Sequence, residues 1–394
     1  MGFLRFVPPM GIYETLYAFQ AAFGRYMGEP GTHPWSQGFP RTDQLPGGPP
    51  LPSSVAVKPD HLFYPKAWGM PALRQALAAY YSRHYGAPIT ADNVMVFAGG
   101  RPALAAVLLF LEDGIPVRVA STEYTPYYDL LKLLRRPVTL VPSGLENRFR
   151  PPVEAYTALP GEGRALVLMS NPCNPTGVTR SGEELRRLVQ ASCSDRIGLL
   201  IDEAYEMFHE PPVSALEHIG GDLESSNLFV VGAATKGLQA PGIRVGWVVA
   251  ARRHIEILGN FSSFGMGGVS HPSQCYALEL LREERVAQSR RAVPAYYAGQ
   301  RARYGEAFAG LGLDLFTGDG GFYHWCRLGD GLTAAELNRR LFTQGAAVLK
   351  GTDCDMARQG DASPLGGFFR FSFGPLNPAS FADDIAIMKR ALEG

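Results

Sequence analysis

Neither sign of charge dominates this chain: its 394 residues hold 37 Lys plus Arg against 37 Asp plus Glu. A net charge of zero removes the global field that would draw a polyanion, so composition indicates no nucleic-acid or membrane partner. Any anionic ligand must be held by local groups. Cysteine is scarce as well. Five residues, at 173, 193, 275, 326 and 354, are scattered and include no C-x-x-C pair. That spacing indicates neither a disulfide framework nor a zinc site, and fits a reducing, cytoplasmic location with no metal expected. Long apolar runs are also missing: no stretch approaches the ~18 residues of a membrane span. The start, from Met1 to Pro9, has too little apolar length before its prolines to be a signal peptide. Complete G-x-G-x-x-G and G-x-x-x-x-G-K patterns are lacking too, so neither a dinucleotide fingerprint nor a P-loop is present.

What the chain does have is a hydrophobic share of 46% and a length beyond that of a usual single core. Residues 1–55 are rich in breakers, notably from Leu45 to Pro52, and read as an extended arm joining a smaller domain. From there to about 285 short apolar runs alternate with helical patterns. The runs are Val94–Phe97, Val117–Ala120, Val138–Val141, Ala165–Met169, Ile197–Ile201, Leu228–Gly232 and Val245–Ala250. Near-continuous apolar strands separated by helices predict an α/β fold, a three-layer sandwich around a mostly parallel sheet. Residues 286–394 turn to longer helices with fewer strands and predict a smaller α+β domain. Ser181 with Glu184, and Thr333 with Glu336, have the spacing of capping boxes, and Gly345 is a helix stop.

The most informative residue is Lys236, in the run Thr235-Lys236-Gly237 just past the strand Leu228–Gly232. A lysine delivered between two buried strands is costly as a cation, and burial favours the neutral, nucleophilic amine. Other chemistry-bearing segments also follow strands, where open α/β sheets place ligands. Gly99-Gly100-Arg101 opens a helix whose free N–H groups suit a phosphate. Tyr124 supplies a ring that could stack on a planar group. Asn171-Pro172-Cys173-Asn174-Pro175-Thr176-Gly177 forms a rigid loop able to fix the Asn174 amide. Asp202-Glu203-Ala204-Tyr205 ends a buried strand with a carboxylate that needs a cationic partner.

In this order and spacing the segments resemble fold-type I pyridoxal-phosphate enzymes of the aspartate aminotransferase superfamily, over roughly residues 60–375. The resemblance carries residue roles. It implies that pyridoxal 5'-phosphate forms an internal aldimine with Lys236, which then moves the substrate proton. It implies that Asp202 pairs with the pyridinium nitrogen, that Asn174 and Tyr205 bond the phenolic oxygen, and that Tyr124 stacks on the ring. The phosphate would be held by Gly99, Gly100, Arg101, Thr235 and Arg244, with Tyr64 reaching the neighbouring site of an obligate homodimer. Arg370 would clamp the substrate carboxylate beside Gly38 and Asn174.

Two departures stand out. Ala233 occupies the position where the family usually carries a phosphate-binding hydroxyl, and Arg101 is the candidate replacement. The Pro-x-Tyr-Pro run around the stacking aromatic reads Thr122-Glu123-Tyr124-Thr125. The expected reaction is transamination of an α-amino acid in specialised biosynthesis. Ser262–Gly268 lacks the second arginine of aspartate-specific relatives, so dicarboxylic substrates are disfavoured. The alternatives are a lyase or cyclase, similar to aminocyclopropane carboxylate synthases that use S-adenosylmethionine, and, more remotely, a non-catalytic binding module.

Overall fold

The structure, a computed structural model, describes residues 3–4, 7–329 and 331–394. Residues 1, 2, 5 and 6 of the expected arm and leader reading, and Asp330 of the smaller unit, lie outside the described residues. The apolar runs become strands β1 (Val94–Phe97), β2 (Val117–Ala120), β3 (Val138–Val141), β4 (Ala165–Ser170), β5 (Ile197–Asp202), β6 (Leu228–Ala233) and β7 (Gly246–Ala250). They form one seven-stranded sheet in the order β1-β7-β6-β5-β4-β2-β3. Neighbours from β3 through β6 pair in parallel, and only β7 runs antiparallel, between β1 and β6. Apolar side chains fill both faces. One cluster gathers Val96, Val167, Ile201 and Val230, and the other Met95, Leu168, Leu200 and Val231. Consecutive residues of one strand thus face opposite cores, which is why these strands read as continuous rather than alternating apolar runs.

The register aligns the strand ends. Ser170 pairs with Asp202, Asp202 with Val231, and both Phe97 and Ala233 with Gly246. Every loop after β1, β2, β4, β5 and β6 therefore emerges at one edge of the sheet. The loop before β7 reaches the same edge.

A second, antiparallel sheet has the order β10-β11-β9-β8. Its strands are β8 (Asp314–Leu315), β9 (Tyr323–Arg327), β10 (Leu349–Lys350) and β11 (Phe368–Ser372). The 28-residue helix Glu283–Gly310 leads into it. The N-terminal stretch packs against this part of the chain. Ser372 N donates to Trp35 O at 2.7 Å, and Trp35 Nε1 donates to Asp384 at 3.0 Å. His33 and Trp35 are thus packing residues of the arm, as their aromatic character suggests.

Three local expectations change. Residues 12–23 form a helix within the supposedly extended arm; Leu16 and Phe19 bury one of its faces, and Phe19 meets Phe342 at 5.9 Å. Ser181 precedes the helix Gly182–Ala191 but makes no capping bond, and the Glu184 carboxylate that would return the other half of the box is engaged by Arg150 and Arg180 instead. At the second site only half of the box forms: Thr333 Oγ1 accepts from Glu336 N at 3.2 Å. Gly345, at φ 75°, follows the end of that helix at Phe342.

Candidate active site

The aligned strand ends enclose a cavity of about 350 Å3. Gly100, Arg101, Tyr124, Asn174, Asp202, Tyr205, Thr235, Lys236 and Arg244 all line it, as does Gly38 from the N-terminal stretch. A second cavity of about 170 Å3 continues from it, adding Ile12, Tyr323, Leu349 and Arg370. The structure therefore brings together almost every residue singled out in the sequence. Gly99 lies just outside the wall, directly beneath the Arg244 guanidinium. Tyr64 does not join them; it is 92% exposed on the outside of the chain.

At the phosphate-like end, β1 is followed by Ala98 and by Gly99 at φ 109°, a conformation open to glycine, and the helix Gly100–Phe110 begins at once. The first N–H groups of that helix face the cavity without intrahelical partners. Space here is set by two glycines. A Cβ on Gly99 would collide with the Arg244 guanidinium, and one on Gly246 would sit 2.5 Å from the Gly99 carbonyl carbon. The Ala233 methyl faces Gly100, lying 3.8 Å from where a Cβ on that residue would be. Arg101 is anchored by its Nε, which donates to Tyr124 OH at 3.0 Å. The result is a cradle of backbone N–H groups and two guanidiniums, suited to a phosphate monoester.

On the opposite wall stands Asp202, buried, with Oδ1 accepting from Ala204 N at 3.1 Å and Oδ2 accepting from Tyr127 OH at 3.3 Å. Burial raises its pKa above the ordinary carboxylate value, since no cation contacts it directly. A protonated ring nitrogen would supply the missing partner. Lys236 donates to the carbonyl oxygen of Gly38 and lies 5.5 Å from the Tyr205 ring centroid and 5.6 Å from that of Phe322. Enclosure by protein, then the positive charges of Arg370 and Arg101, push its amine down to about 7. Near neutral pH a large share of this amine is unprotonated.

Arg370 is buried in β11. Its Nη1 donates to Asn174 Oδ1 at 2.7 Å and its Nη2 to Ser36 O at 2.8 Å. The buried Nε has no partner among the described residues, so donor capacity remains for a carboxylate. A Cβ on Gly38 would lie 3.8 Å from Arg370 Nη2 and 2.8 Å from Tyr323 OH, which keeps that position small.

Sequence reasoning missed Ser170 and Tyr323 and undervalued Glu123. Glu123 is buried and accepts from Ser170 N and Ser170 Oγ, both at 2.9 Å, and from Tyr124 N at 2.7 Å. Ser170 Oγ in turn accepts from Asn174 N at 3.0 Å. Burial pushes the Glu123 carboxyl up to about 7. This set of bonds fastens the Tyr124 backbone to the Asn174 loop in a turn that departs from Pro-x-Tyr-Pro. The one signal in the sequence was an acidic residue in the loop just past β2, next to the candidate stacking residue Tyr124.

The donor set fits pyridoxal 5'-phosphate at every pole: an anion cradle, a buried carboxylate for the ring nitrogen, an aromatic face, and an unprotonated amine. Comparison with known proteins agrees. Residues 36–379 match the family described as aminotransferase class I and II. The chain is 30% identical over 337 residues to the valine–pyruvate aminotransferase of Mycobacterium tuberculosis, covering 82% of each. It is 26% identical over 332 residues to the LL-diaminopimelate aminotransferase of Dehalococcoides mccartyi, covering 80% of this chain and 84% of that one. Among solved structures, the aspartate aminotransferase of Thermus thermophilus with maleate superposes with a TM-score of 0.81 at 21% identity, over 99% of this chain and 100% of that one. An aminotransferase from Mycobacterium tuberculosis gives 0.75 at 25% identity over 100% and 98%. The lyase or cyclase alternative is not favoured by these relatives, nor is a role without catalysis. This chain belongs to the class I and II aminotransferases, pyridoxal-phosphate-dependent transferases of fold type I.

Proposed function

We propose that the protein transfers the amino group of a neutral, aliphatic α-amino acid to a 2-oxo acid. The observation that carries this reading is the cavity holding Arg370, where Ile12, Phe39, Pro126 and Leu349 add apolar surface and the remaining arginine, Arg101, is the one assigned to the phosphate. A distal carboxylate placed against them would lose its hydration without full compensation. The relative named valine–pyruvate aminotransferase points the same way. The segment Ser262–Met266 adds no arginine.

When bound, pyridoxal phosphate supplies a carbonyl that condenses with amines and a cationic ring that withdraws electrons from the neighbouring carbon. The chain supplies the rest. Arg370 binds the substrate carboxylate through its planar fork, and Asn174 fixes that fork's rotation. Asp202 keeps the proton on the ring nitrogen by offering a buried counter-charge. Asn174 and Tyr205 donate to the phenolic oxygen. Arg244, Arg101, Thr235 and the N–H groups of Gly99 and Gly100 hold the phosphate, with Arg101 standing in for the hydroxyl that Ala233 lacks. Lys236 Nζ, in large part unprotonated near neutral pH, would take up the proton at the substrate Cα. Phe39, Tyr205 and Phe322 exclude water around that amine.

We further read the chain as a homodimer with shared sites. Leu62, Phe63, Tyr64 and Phe264 are exposed apolar side chains, and their two segments meet where Gly268 presses on Pro65. A second copy would cover them and bring Tyr64 to the neighbouring phosphate. The arm of residues 1–55 is read as part of the smaller C-terminal unit that begins near 286, and 56–285 as the cofactor-binding unit. Among the described residues no helix is long and apolar enough to cross a membrane.

The deciding experiment is a steady-state panel of valine, alanine, leucine, methionine, aspartate and glutamate with pyruvate and 2-oxoglutarate. Neutral aliphatic donors are expected to give kcat/KM values at least about tenfold above aspartate, in line with the penalty for an unpaired buried charge. Faster turnover of aspartate would overturn the substrate reading.

A further inference from the structure

Two buried phenols meet hydroxyl to hydroxyl beside Lys236: those of Tyr205 and Tyr323. They come from different sheets. Tyr205 follows β5, whereas Tyr323 opens β9, and their ring centroids are 5.5 Å apart. Tyr323 also carries Arg370, whose guanidinium carbon lies 4.1 Å from the Tyr323 ring centroid. The register explains this. Tyr323 pairs with Ser372, and Arg370, two residues before Ser372, shares its face of the sheet. Gly38 closes the arrangement, leaving only 2.8 Å between a would-be Cβ and the Tyr323 oxygen. A single hydroxyl therefore sits where the carboxylate clamp, the proton-moving amine and the cofactor-facing phenol converge.

A phenol has one proton to donate. If Tyr205 gave its proton to Tyr323, it would have none for the cofactor. Burial pushes the Tyr323 hydroxyl up to about 12, while the Arg370 cation over its ring draws it back toward acidity. The geometry allows either hydroxyl to donate; with the Tyr205 proton committed to the cofactor oxygen, Tyr323 is left as the donor of the pair, and its donation to the Tyr205 oxygen strengthens what Tyr205 donates onward. The other titratable groups facing the two hydroxyls are Lys236, Arg101, Tyr124 and Cys354. None of them hydrogen-bonds either hydroxyl among the described contacts.

We infer that Tyr323 is a positioning residue: its hydroxyl donates to Tyr205, directing the Tyr205 proton to the cofactor's phenolic oxygen, while its ring holds the Arg370 guanidinium in its carboxylate-binding plane. The inference rests on the reading of Tyr205 as cofactor-facing.

The test uses full-length protein loaded with pyridoxal phosphate and two readouts other than turnover. One is the pH midpoint at which absorbance of the bound cofactor changes. The second is the dissociation constant of isovalerate, an unreactive aliphatic carboxylate. A donor bond favours the charged form of the oxygen it meets, so weakening it raises the midpoint. Tyr323→Phe keeps the ring and is expected to raise the midpoint by about half to one pH unit, with isovalerate binding changed less than about twofold. Tyr323→Leu is expected to weaken isovalerate by about fivefold as well, through loss of the ring under Arg370. Because Tyr323 acts through Tyr205, the Tyr205→Phe/Tyr323→Phe double variant should match Tyr205→Phe alone. If Tyr205→Phe moves the midpoint and Tyr323→Phe does not, or if their shifts simply add, the role of Tyr323 is wrong while the cofactor site stands. If Tyr205→Phe leaves the midpoint in place, the reading of Tyr205 and the inference fall together.

Discussion

Arg370 Nη1 donates to Asn174 Oδ1 at 2.7 Å, joining β11 of the small sheet to the loop after β4 of the large one. On the proposed reading, the amide that would face the cofactor oxygen also sets the plane of the guanidinium that would bind the substrate carboxylate. Substrate and cofactor would then be oriented by one bond between two sheets, and several expectations follow from groups placed around it.

Lys236→Ala should lower transamination by about a thousandfold or more, the upper part of the range for losing a positioned acid–base group. Borohydride treatment of loaded wild-type protein should add the mass of the reduced cofactor to the peptide containing Lys236. The variant should show no such adduct; its appearance there would mean that another amine holds the cofactor.

Replacing Arg370 with Lys retains the charge but loses the second prong of the fork. The expected effect is a KM for the amino acid raised about tenfold or more, with kcat reduced less. An unchanged KM would place the carboxylate elsewhere.

Ala233 offers a sharper test of how the phosphate is held. Ala233→Ser restores a hydroxyl at the end of β6 and should tighten pyridoxal phosphate about fivefold, one ordinary hydrogen bond's worth. Arg101→Ala should weaken binding more in the wild-type background than in the Ala233→Ser background, if Arg101 covers for the missing hydroxyl. Fluorescence titration of the four proteins measures the coupling, and equal losses in both backgrounds would refute compensation.

Protein without cofactor should report the Lys236 environment through its pH-dependent stability. The folded-state pKa, about 7, lies below the ordinary lysine value of 10.5, so between those values the unfolded chain binds the extra proton. Stability from this group must then rise with pH across that window and be absent below it. Lys236→Met should flatten the rise by up to about one proton per chain, read as the slope of unfolding free energy against pH. A slope equal to that of wild type would show that the amine is solvated like any surface lysine.

Tyr64 is tested by mixing. Tyr64→Ala and Lys236→Ala chains, unfolded together and refolded with cofactor, should regain about a quarter of wild-type activity, because half the dimers are mixed and carry one intact site each. No recovery, with dimers confirmed by light scattering, would remove Tyr64 from the neighbouring site.

Much of this was legible before any coordinates. Buried parallel strands announce themselves as apolar runs, and β1, β2 and β3 begin and end where those runs do. The runs fall one residue short at Ser170, Asp202 and Ala233, because the ladder continues into the polar or small residues that form the site. The motif residues were readable for a related reason: loops fixed by Asn-Pro steps and Gly-Gly turns leave little freedom at the sheet edge. The small sheet was harder. β9 mixes Tyr323, His324, Trp325 and Arg327, and its pairing with β11 depends on contacts between distant parts of the chain. Tyr323 and Ser170 could not be found from spacing alone, since their partners Tyr205 and Glu123 are contributed by other elements. Near Ser181 the Glu184 carboxylate is taken by Arg150 and Arg180, so the reciprocal half of that box is lost to tertiary packing.

The antiparallel strand β7 has a consequence for the order in which the molecule is made. Its residues lie between β1 and β6, and Gly246 is pressed against the Gly99 peptide. On the ribosome, β1 emerges long before β7, its one partner strand among the described residues, and non-local pairing of that kind is slow. A nascent chain ending before residue 246 can already place Asp202 and Asn174, yet it leaves β1 without its sheet partner and Arg244 without its seat over Gly99. The pocket between Gly99 and Arg244 is thus completed only with the last strand of the large sheet.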